Sequence, residues 1–363
     1  MGFRTIRFHG FRNLDDKEVD VDARDVYLIG ENGQGKTNFL EALYLLSYGS
    51  SFRTRQDGDM VAWGRKEMAV HGTFRNEGQP DDTLSVVWRD GTKDIRLRGK
   101  AVVDRKDLIR RVPAIVFVHD DFLFAGGPPE RRRWFMDQTL SLHDPLYVDQ
   151  LRRYRKILKE RNYLLRTGRR DLLDHYGEQL AYAGLALSER REALVKEFGR
   201  IFSPLYQEVS GLESNVTLVY KPSWGDAETT TEVMDRLAAR REVDFAMGAT
   251  GSGPHRDRFL FQTKGRDFAK GASTGQLRLL SLVLRVAQAR FFSDVTGRKP
   301  ILLLDDVLLE LDPAKRSLFR RKLPEADQVF YTFLPGEETG RIGDDSITYE
   351  VRDGGLREPI EGR

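Results

Sequence analysis

Apolar positions in the first 30 residues fall at strand-like intervals: Phe3, Ile6 and Phe8 among basic partners, then Val19 and Val21 around Asp20, then an unbroken run at 26–29. Alternation marks a half-buried strand, and an unbroken run suits a strand covered on both faces. The next segment, TNFLEALYLL, repeats leucine at helical spacing. Residues 70–74, 84–89 and 95–103 predict a meander of three strands, with Asp90-Gly91 as a hairpin turn. Residues 114–118 predict one more buried strand, and GGPP at 126–129 breaks the pattern before the helical stretch ERRRWFMDQTL.

A different period follows. Leu151, Tyr154, Ile157, Leu158 and Leu165 share one helical face over 145–166, and Leu173, Leu180, Leu187, Leu194, Phe198 and Ile201 do the same over 171–202. Thr167-Gly168-Arg169-Arg170 joins them, so the pattern predicts a helical hairpin. A strand at 216–220 and a helix at 232–241 come next, and the Gly-rich GATGSGPHRDRF places His255, Arg256 and Asp257 between two strands. The chain closes with a long helix after Ser273, an apolar strand at 301–304, another at 328–333 and a hairpin around Asp353-Gly354.

Three local patterns carry chemistry. Residues 30–37, GENGQGKT, satisfy G-x-x-x-x-G-K-[ST] between a predicted strand and a predicted helix. Gly30, Gly33 and Gly35 would let the backbone turn with positive φ and bring the N–H groups of the loop, Glu31, Asn32 and Gln34 included, around a phosphate. Lys36 would reach the outer phosphates and Thr37 would offer its hydroxyl to Mg²⁺, with the helix N-terminus adding to the field. The bland alternative, a plain Gly-rich strand-to-helix turn, leaves the Lys-Thr pair unexplained. The second pattern is ILLLDD at 301–306, an apolar strand ending in two acids. Beside a phosphate loop, Asp305 becomes the candidate metal ligand with Thr37, and Asp306 the candidate base for water. The third is Ser273-Thr274-Gly275-Gln276, a small-residue turn that opens a helix. It is an N-cap or a second anion site, and a second phosphate cradle would suit a nucleotide shared between two subunits.

Composition adds limits. Of 363 residues, 40% are hydrophobic and 32% charged, and the net charge is only +3, so bulk charge does not argue for nucleic acid. The basic residues are nonetheless clustered, as at Arg96, Arg98 and Lys100 and at Arg131, Arg132 and Arg133. Such clusters are solvated faces or phosphate contacts. The absence of cysteine excludes disulfides and thiolate metal sites and leaves the redox compartment undetermined. No apolar run approaches membrane length and no signal region opens the chain, so a soluble cytoplasmic protein is expected.

Together these motifs resemble the ABC-type ATPase heads of the SMC, Rad50 and RecF group, and most closely its RecF branch. The resemblance also rests on Phe11-Arg12-Asn13, Ser51-Phe52-Arg53-Thr54, the arginines 131–133 followed by Phe135 and Asp137, and Gly253-Pro254-His255-Arg256-Asp257, in family order along nearly the whole chain. It implies an α/β fold: a two-lobed P-loop ATPase head, formed by residues 1–124 and 246–363, with a helical arm inserted at 125–245. It further implies ATP and Mg²⁺ as cofactors, Ser273 to Gln276 acting in trans on the nucleotide of a second copy, and Asp312 in the D-loop. His119 is the Q-loop candidate, although the family's usual proline and acid are replaced there by Val118-His119-Asp120-Asp121. Leu309 stands where the family usually has serine before Glu310-Leu311-Asp312, and no switch histidine follows residues 328–333. By resemblance the chain binds gapped or junction DNA as an ATP-dependent homodimer, opens on slow hydrolysis, and helps the RecO and RecR proteins load recombinase. The motifs by themselves also admit an ABC transporter ATPase subunit or a single-subunit P-loop NTPase.

Overall fold

The computed structural model describes residues 2–75, 80–212, 215–311, 313–337 and 344–358. The chain divides into two compact units, Met1–Asp120 with Phe292–Arg363, and Asp121–Phe291. The arm expected at 125–245 falls within the second.

The first unit begins with β1 (Gly2–His9), β2 (Glu18–Asp20), β3 (Asp25–Ile29), α1 (Lys36–Tyr48), β4 (Glu67–Arg75), β5 (Asp82–Arg89), β6 (Thr92–Leu97), β7 (Lys100–Ala101), α2 (Lys106–Arg111) and β8 (Ala114–Phe117). Six of these strands form an antiparallel sheet in the order β2-β1-β4-β5-β6-β7. Phe3 and Ile6 sit an odd number of residues apart yet are both buried, because a bulge between Phe3 and Thr5 shifts the pairing of β1 with β4 by one residue. The expected strand at 95–103 is two strands. Arg98 and Gly99 both take positive φ, 52° and 72°, and close a second tight hairpin between β6 and β7.

The second unit holds α3 (Phe122–Gly126), α4 (Pro129–Ser141), α5 (Pro145–Arg166), α6 (Leu173–Ser210), β9 (Thr217–Lys221), α7 (Thr230–Ala239), α8 (Arg241–Met247), β10 (Arg258–Thr263) and β11 (Arg266–Asp267). The helical hairpin of α5 and α6 follows the predicted faces. Asp144 caps α5 through the N–H groups of Leu146 and Tyr147, and Gly168 turns the chain at φ 69°. Helix α6 runs past Pro204 to Ser210, beyond the predicted end, because Phe202, Leu205, Tyr206 and Val209 extend its buried face. Gly184 of α6 admits the ring of Trp224, which a Cβ there would meet at 2.5 Å. Strands β9, β10 and β11 form a small antiparallel sheet. The Gly-rich segment before β10 follows α8, not a strand as expected, since the 232–241 helix is succeeded by a further helical turn.

Helix α9 (Thr274–Thr296) carries the chain back into the first unit, which finishes with β12 (Ile301–Leu304), α10 (Pro313–Lys322), β13 (Gln328–Phe333), β14 (Ser346–Arg352) and β15 (Gly355–Arg357). The core sheet is mixed, in the order β15-β14-β3-β13-β12-β8, with β15 its antiparallel member. Helix α1 shares one hydrophobic core with both sheets of this unit; Phe39, Leu40, Leu43 and Leu46 are fully buried there beside Phe8, Val70 and Phe330. Buried Gln328 fastens the two sheets, accepting from the N–H of Phe3 at 2.8 Å and donating to the carbonyls of Phe3, Val21 and Ala23. The strand order also decides which loops can meet. Strand β13 lies between β3 and β12, with Phe333 paired to Ile29 and Tyr331 to Leu304, so the carboxyl ends of all three emerge together.

Candidate nucleotide site

The loop at 30–37 leaves the end of β3 and enters α1. Gly33 and Gly35 take positive φ, 80° and 121°. Gly30 does not, contrary to expectation; it is held small by the carbonyl of Val351, which a Cβ would meet at 2.3 Å. The terminal hairpin grips the loop from outside: the N–H groups of Asp353 and Gly354 donate to the side-chain and backbone oxygens of Gln34 at 2.6 and 2.9 Å. Glu31, Asn32 and Gly33 are exposed, and Lys36 is buried.

The predicted charges converge. Lys36 Nζ donates to the Gly30 carbonyl at 2.6 Å and lies 3.6 Å from Asp306. Thr37 Oγ1 donates to Asp305 Oδ1 at 2.8 Å. Burial pushes the Asp305 carboxyl up to about 6, the charge of Asp306 adds to that, and the Thr37 hydrogen bond and the Arg53 guanidinium oppose it. A hydroxyl and a carboxylate this close, backed by a lysine, are the oxygen donors that suit Mg²⁺ together with phosphate oxygens. Among the described residues no cluster of three or more His, Asp or Glu could hold a metal by itself.

Two features were not legible as site elements. Thr332, the next-to-last residue of β13, reaches across to the end of β12: its hydroxyl accepts from the Asp306 N–H at 2.7 Å and lies 2.7 Å from Asp306 Oδ1. Asp306 itself is held at φ 52°, so its backbone is pinned in the left-handed region by this neighbour. The second feature is the fully buried carboxylate of Glu41 on α1. Arg12 forks onto it at 2.8 and 2.9 Å, Arg53 reaches it at 3.3 Å, and the Ser51 hydroxyl donates to it. Asn38 bridges Arg53 to Asn13, whose amide reaches the Gly33 carbonyl. The motifs 11–13 and 51–54, singled out without a role, thus meet behind the phosphate loop.

The other expected residues lie as follows. Ser273 and Gln276 form a reciprocal capping box at the start of α9, the Ser273 N–H donating to Gln276 Oε1 at 2.8 Å and the Gln276 N–H to Ser273 Oγ at 3.3 Å. Ser273, Thr274 and Gly275 are exposed, and Gln276 is half-buried. His119 is exposed in a 3₁₀ turn after β8, and Asp312 lies outside the described residues. Of the basic clusters, Lys100 and Arg131 are exposed, Arg96 pairs with Asp94 at 2.7 Å, and Arg98 and Arg111 both pair with buried Asp82. Arg132 and Arg133 point inward, donating to the carbonyls of Ala125 and Gly127 and of Asp257. Of the 253–257 segment, Arg256 is exposed and the rest is internal. Asp257 binds Arg191 at 2.8 Å and the Ser223 N–H at 2.7 Å, and burial takes His255, seated between the Tyr154 hydroxyl and the Thr250 carbonyl, down to about 4.

Residues 3–338 match the RecF/RecN/SMC N-terminal domain family. A curated relative in Treponema pallidum (strain Nichols), the DNA replication and repair protein RecF, is 43% identical over 96% of this chain and 99% of its own. A protein of the same name in Leptospira interrogans (strain Fiocruz L1-130) is 30% identical over 99% of this chain and 100% of its own. The solved structure of the recombination mediator protein RecF-ATP in the RecFOR pathway superposes with a TM-score of 0.90 at 27% identity, covering 99% of this chain and 98% of that one. An SMC head bound to the winged-helix domain of ScpA, 15% identical with a TM-score of 0.54, shares the fold.

Proposed function

The chain belongs to the RecF family, and from that membership we infer that it is an ATP-binding protein of recombinational DNA repair. The observation that best supports the chemistry is the meeting of Lys36, Thr37, Asp305 and Asp306 beyond the carboxyl ends of β3 and β12, on either side of β13. Relatives that align along nearly the whole chain do not favour a transporter subunit or a single-subunit NTPase.

ATP places its phosphates in the N–H cradle at 30–37. Lys36 then exchanges the Gly30 carbonyl and Asp306 for phosphate oxygens, which frees the Asp306 carboxylate. Thr37 and Asp305 are the residues that would hold Mg²⁺, which supplies charge neutralisation on the phosphates when bound. Asp306 orients a water and takes its proton as the water oxygen attacks the γ-phosphorus and the bond to the β-phosphate oxygen breaks. ABC heads usually carry glutamate here; the shorter aspartate suits slow turnover. Ser273, Gly275 and Gln276 of a second copy complete the γ-phosphate site, so that ATP closes a homodimer and hydrolysis opens it. Asp312 belongs to the same closure, and His119 is the Q-loop residue.

Thr332 is the positioning residue of this scheme. Thr332→Val removes both bonds to Asp306 and should lower ATP turnover about tenfold, or ~1.4 kcal/mol of barrier, with ATP affinity unchanged. Thr332→Ser should restore turnover. Equal rates for the valine and native proteins would remove the residue from the mechanism.

In the cytoplasm, the closed dimer engages gapped or junction DNA, and the helical arm at 125–245 with the exposed residues Arg96, Lys100 and Arg131 supplies phosphate contacts. Arg98 is anchored on buried Asp82 within the first unit, and Arg132 and Arg133 on backbone carbonyls within the second. RecR and RecO are the partners in loading recombinase. The experiment is sedimentation velocity: a dimer with ATP and Mg²⁺ and a monomer with ADP supports the reading, and a monomer in both, with ATP bound, excludes it.

A further inference from the structure

Exposed charge is biased on one helix of the hairpin and mixed on the other. Between residues 150 and 166 every charged side chain that is exposed is a cation: Arg152, Arg153, Arg155, Lys156, Lys159 and Arg166. The acid in this span, Glu160, is half-buried, and Arg161 is turned inward onto Asp244 and Thr250 at 3.0 and 2.6 Å. Leu151, Tyr154, Ile157, Leu164 and Leu165 bury the opposite side of α5. Helix α6, its neighbour, shows no such bias; the exposed acids Glu178, Glu189, Glu192 and Glu197 are interspersed there with Arg190 and Lys196. The basic stripe is therefore a property of α5 and not of the arm as a whole.

The stripe has a physical cost and a geometry. Arg152 with Lys156 and Arg155 with Lys159 are like-charge pairs four residues apart, which oppose a helix. Two of these cations have an acid partner, Arg152 with Asp149 at 3.7 Å and Arg155 with Asp137 at 3.8 Å. From Arg152 to Arg166 the row is about 21 Å long at 1.5 Å per residue. A DNA duplex presents one phosphate charge per about 1.7 Å of axis, so a polyanion of that kind meets the whole row at once. Phenols flank it: Tyr163 is 52% exposed, and Tyr182 is 65% exposed with its ring 5.9 Å from the Arg153 guanidinium. Arginine, lysine and tyrosine are the side chains that grip phosphate oxygens.

We propose that the exposed face of α5 is a sequence-independent contact surface for the phosphate backbone of duplex DNA. This rests on the reading that the chain binds DNA and gives that binding its principal site. Because the contact is to backbone and not to base edges, it is strongly salt-dependent and indifferent to sequence.

The test is fluorescence anisotropy of a labelled duplex of arbitrary sequence with the full chain, ATP and Mg²⁺ over a salt series. Native protein is compared with Arg153→Glu/Lys156→Glu/Lys159→Glu and with the corresponding triple alanine variant. The reversed triple should bind at least a hundredfold more weakly. The alanine triple should lose less, and its slope of log affinity against log salt should be shallower by about 2–3, since each phosphate contact contributes about 0.9. ATP binding and the circular dichroism spectrum should be unchanged in both. Native protein that binds duplex while the reversed triple binds within threefold at the same slope would overturn the assignment and leave the face to an acidic protein. Native protein that binds no DNA would overturn the repair reading itself.

Discussion

Asp306→Asn should reduce ATP hydrolysis by about 10²–10⁴-fold, the usual range for loss of a general base, while ATP binding is retained or tightened. The sign of the binding effect follows from the geometry. Asp306 lies 3.6 Å from Lys36, which is only 4% exposed, so the carboxylate competes with phosphate for the same ammonium and repels the incoming anion. Asparagine removes that charge, and its side-chain oxygen can still accept from Thr332. The ATP-bound state should accumulate, and the dimer should outlive the native one on dilution. Single-turnover hydrolysis and ATP affinity measured on the same preparation check both halves. Hydrolysis at the native rate would assign the base elsewhere.

Arg191→Leu should cost about 3–5 kcal/mol of stability, the range for stripping one partner from a buried ion pair. Its guanidinium, 2% exposed, donates to Asp137 at 2.8 Å, to Asp257 at 2.8 Å and to the Pro254 carbonyl at 2.7 Å. Burial works against its charge, and the two carboxylates outweigh that and hold its pKa well above the ordinary value. Leucine fills part of the volume but strips Asp137 and Asp257 of their buried cation in a low-dielectric site, leaving Asp137 with Arg155 at 3.8 Å. Urea unfolding should show a much lower midpoint, and Arg191→Lys should recover only part of it, because an ammonium cannot make the same fork. A change below about 1 kcal/mol, the level of an exposed pair, would contradict a stabilising role for this network.

The local chemistry was the most legible part of the chain. The phosphate loop, the apolar strand ending in Asp305 and Asp306, and the helical faces of α5 and α6 are short-range patterns whose meaning does not depend on the rest of the fold. What depends on strand order was hidden. Thr332 becomes a neighbour of Asp306 only because β13 pairs with β12, and nothing in residues 328–333 announces it. Glu41 looks like a helix surface residue until Arg12, Ser51 and Arg53 arrive from two loops. A run of arginines reads as one feature, yet Arg131 faces solvent while Arg132 and Arg133 are tied to carbonyls, a division set by how α4 packs. The bulge in β1 and the Arg98-Gly99 turn belong to the same class: one-residue events that a period of two cannot foresee.

The proposed switch depends on ATP being shared between two copies through Ser273 to Gln276. Sedimentation velocity with ATP and Mg²⁺, on native protein and on Ser273→Arg, tests that sharing directly. Ser273 is exposed at the start of α9, so arginine is accommodated in the monomer but would occupy the place of the γ-phosphate in the closed dimer. The native protein should dimerise, and Ser273→Arg should remain a monomer that still binds ATP. An arginine variant that dimerises as well as the native protein would contradict the shared site.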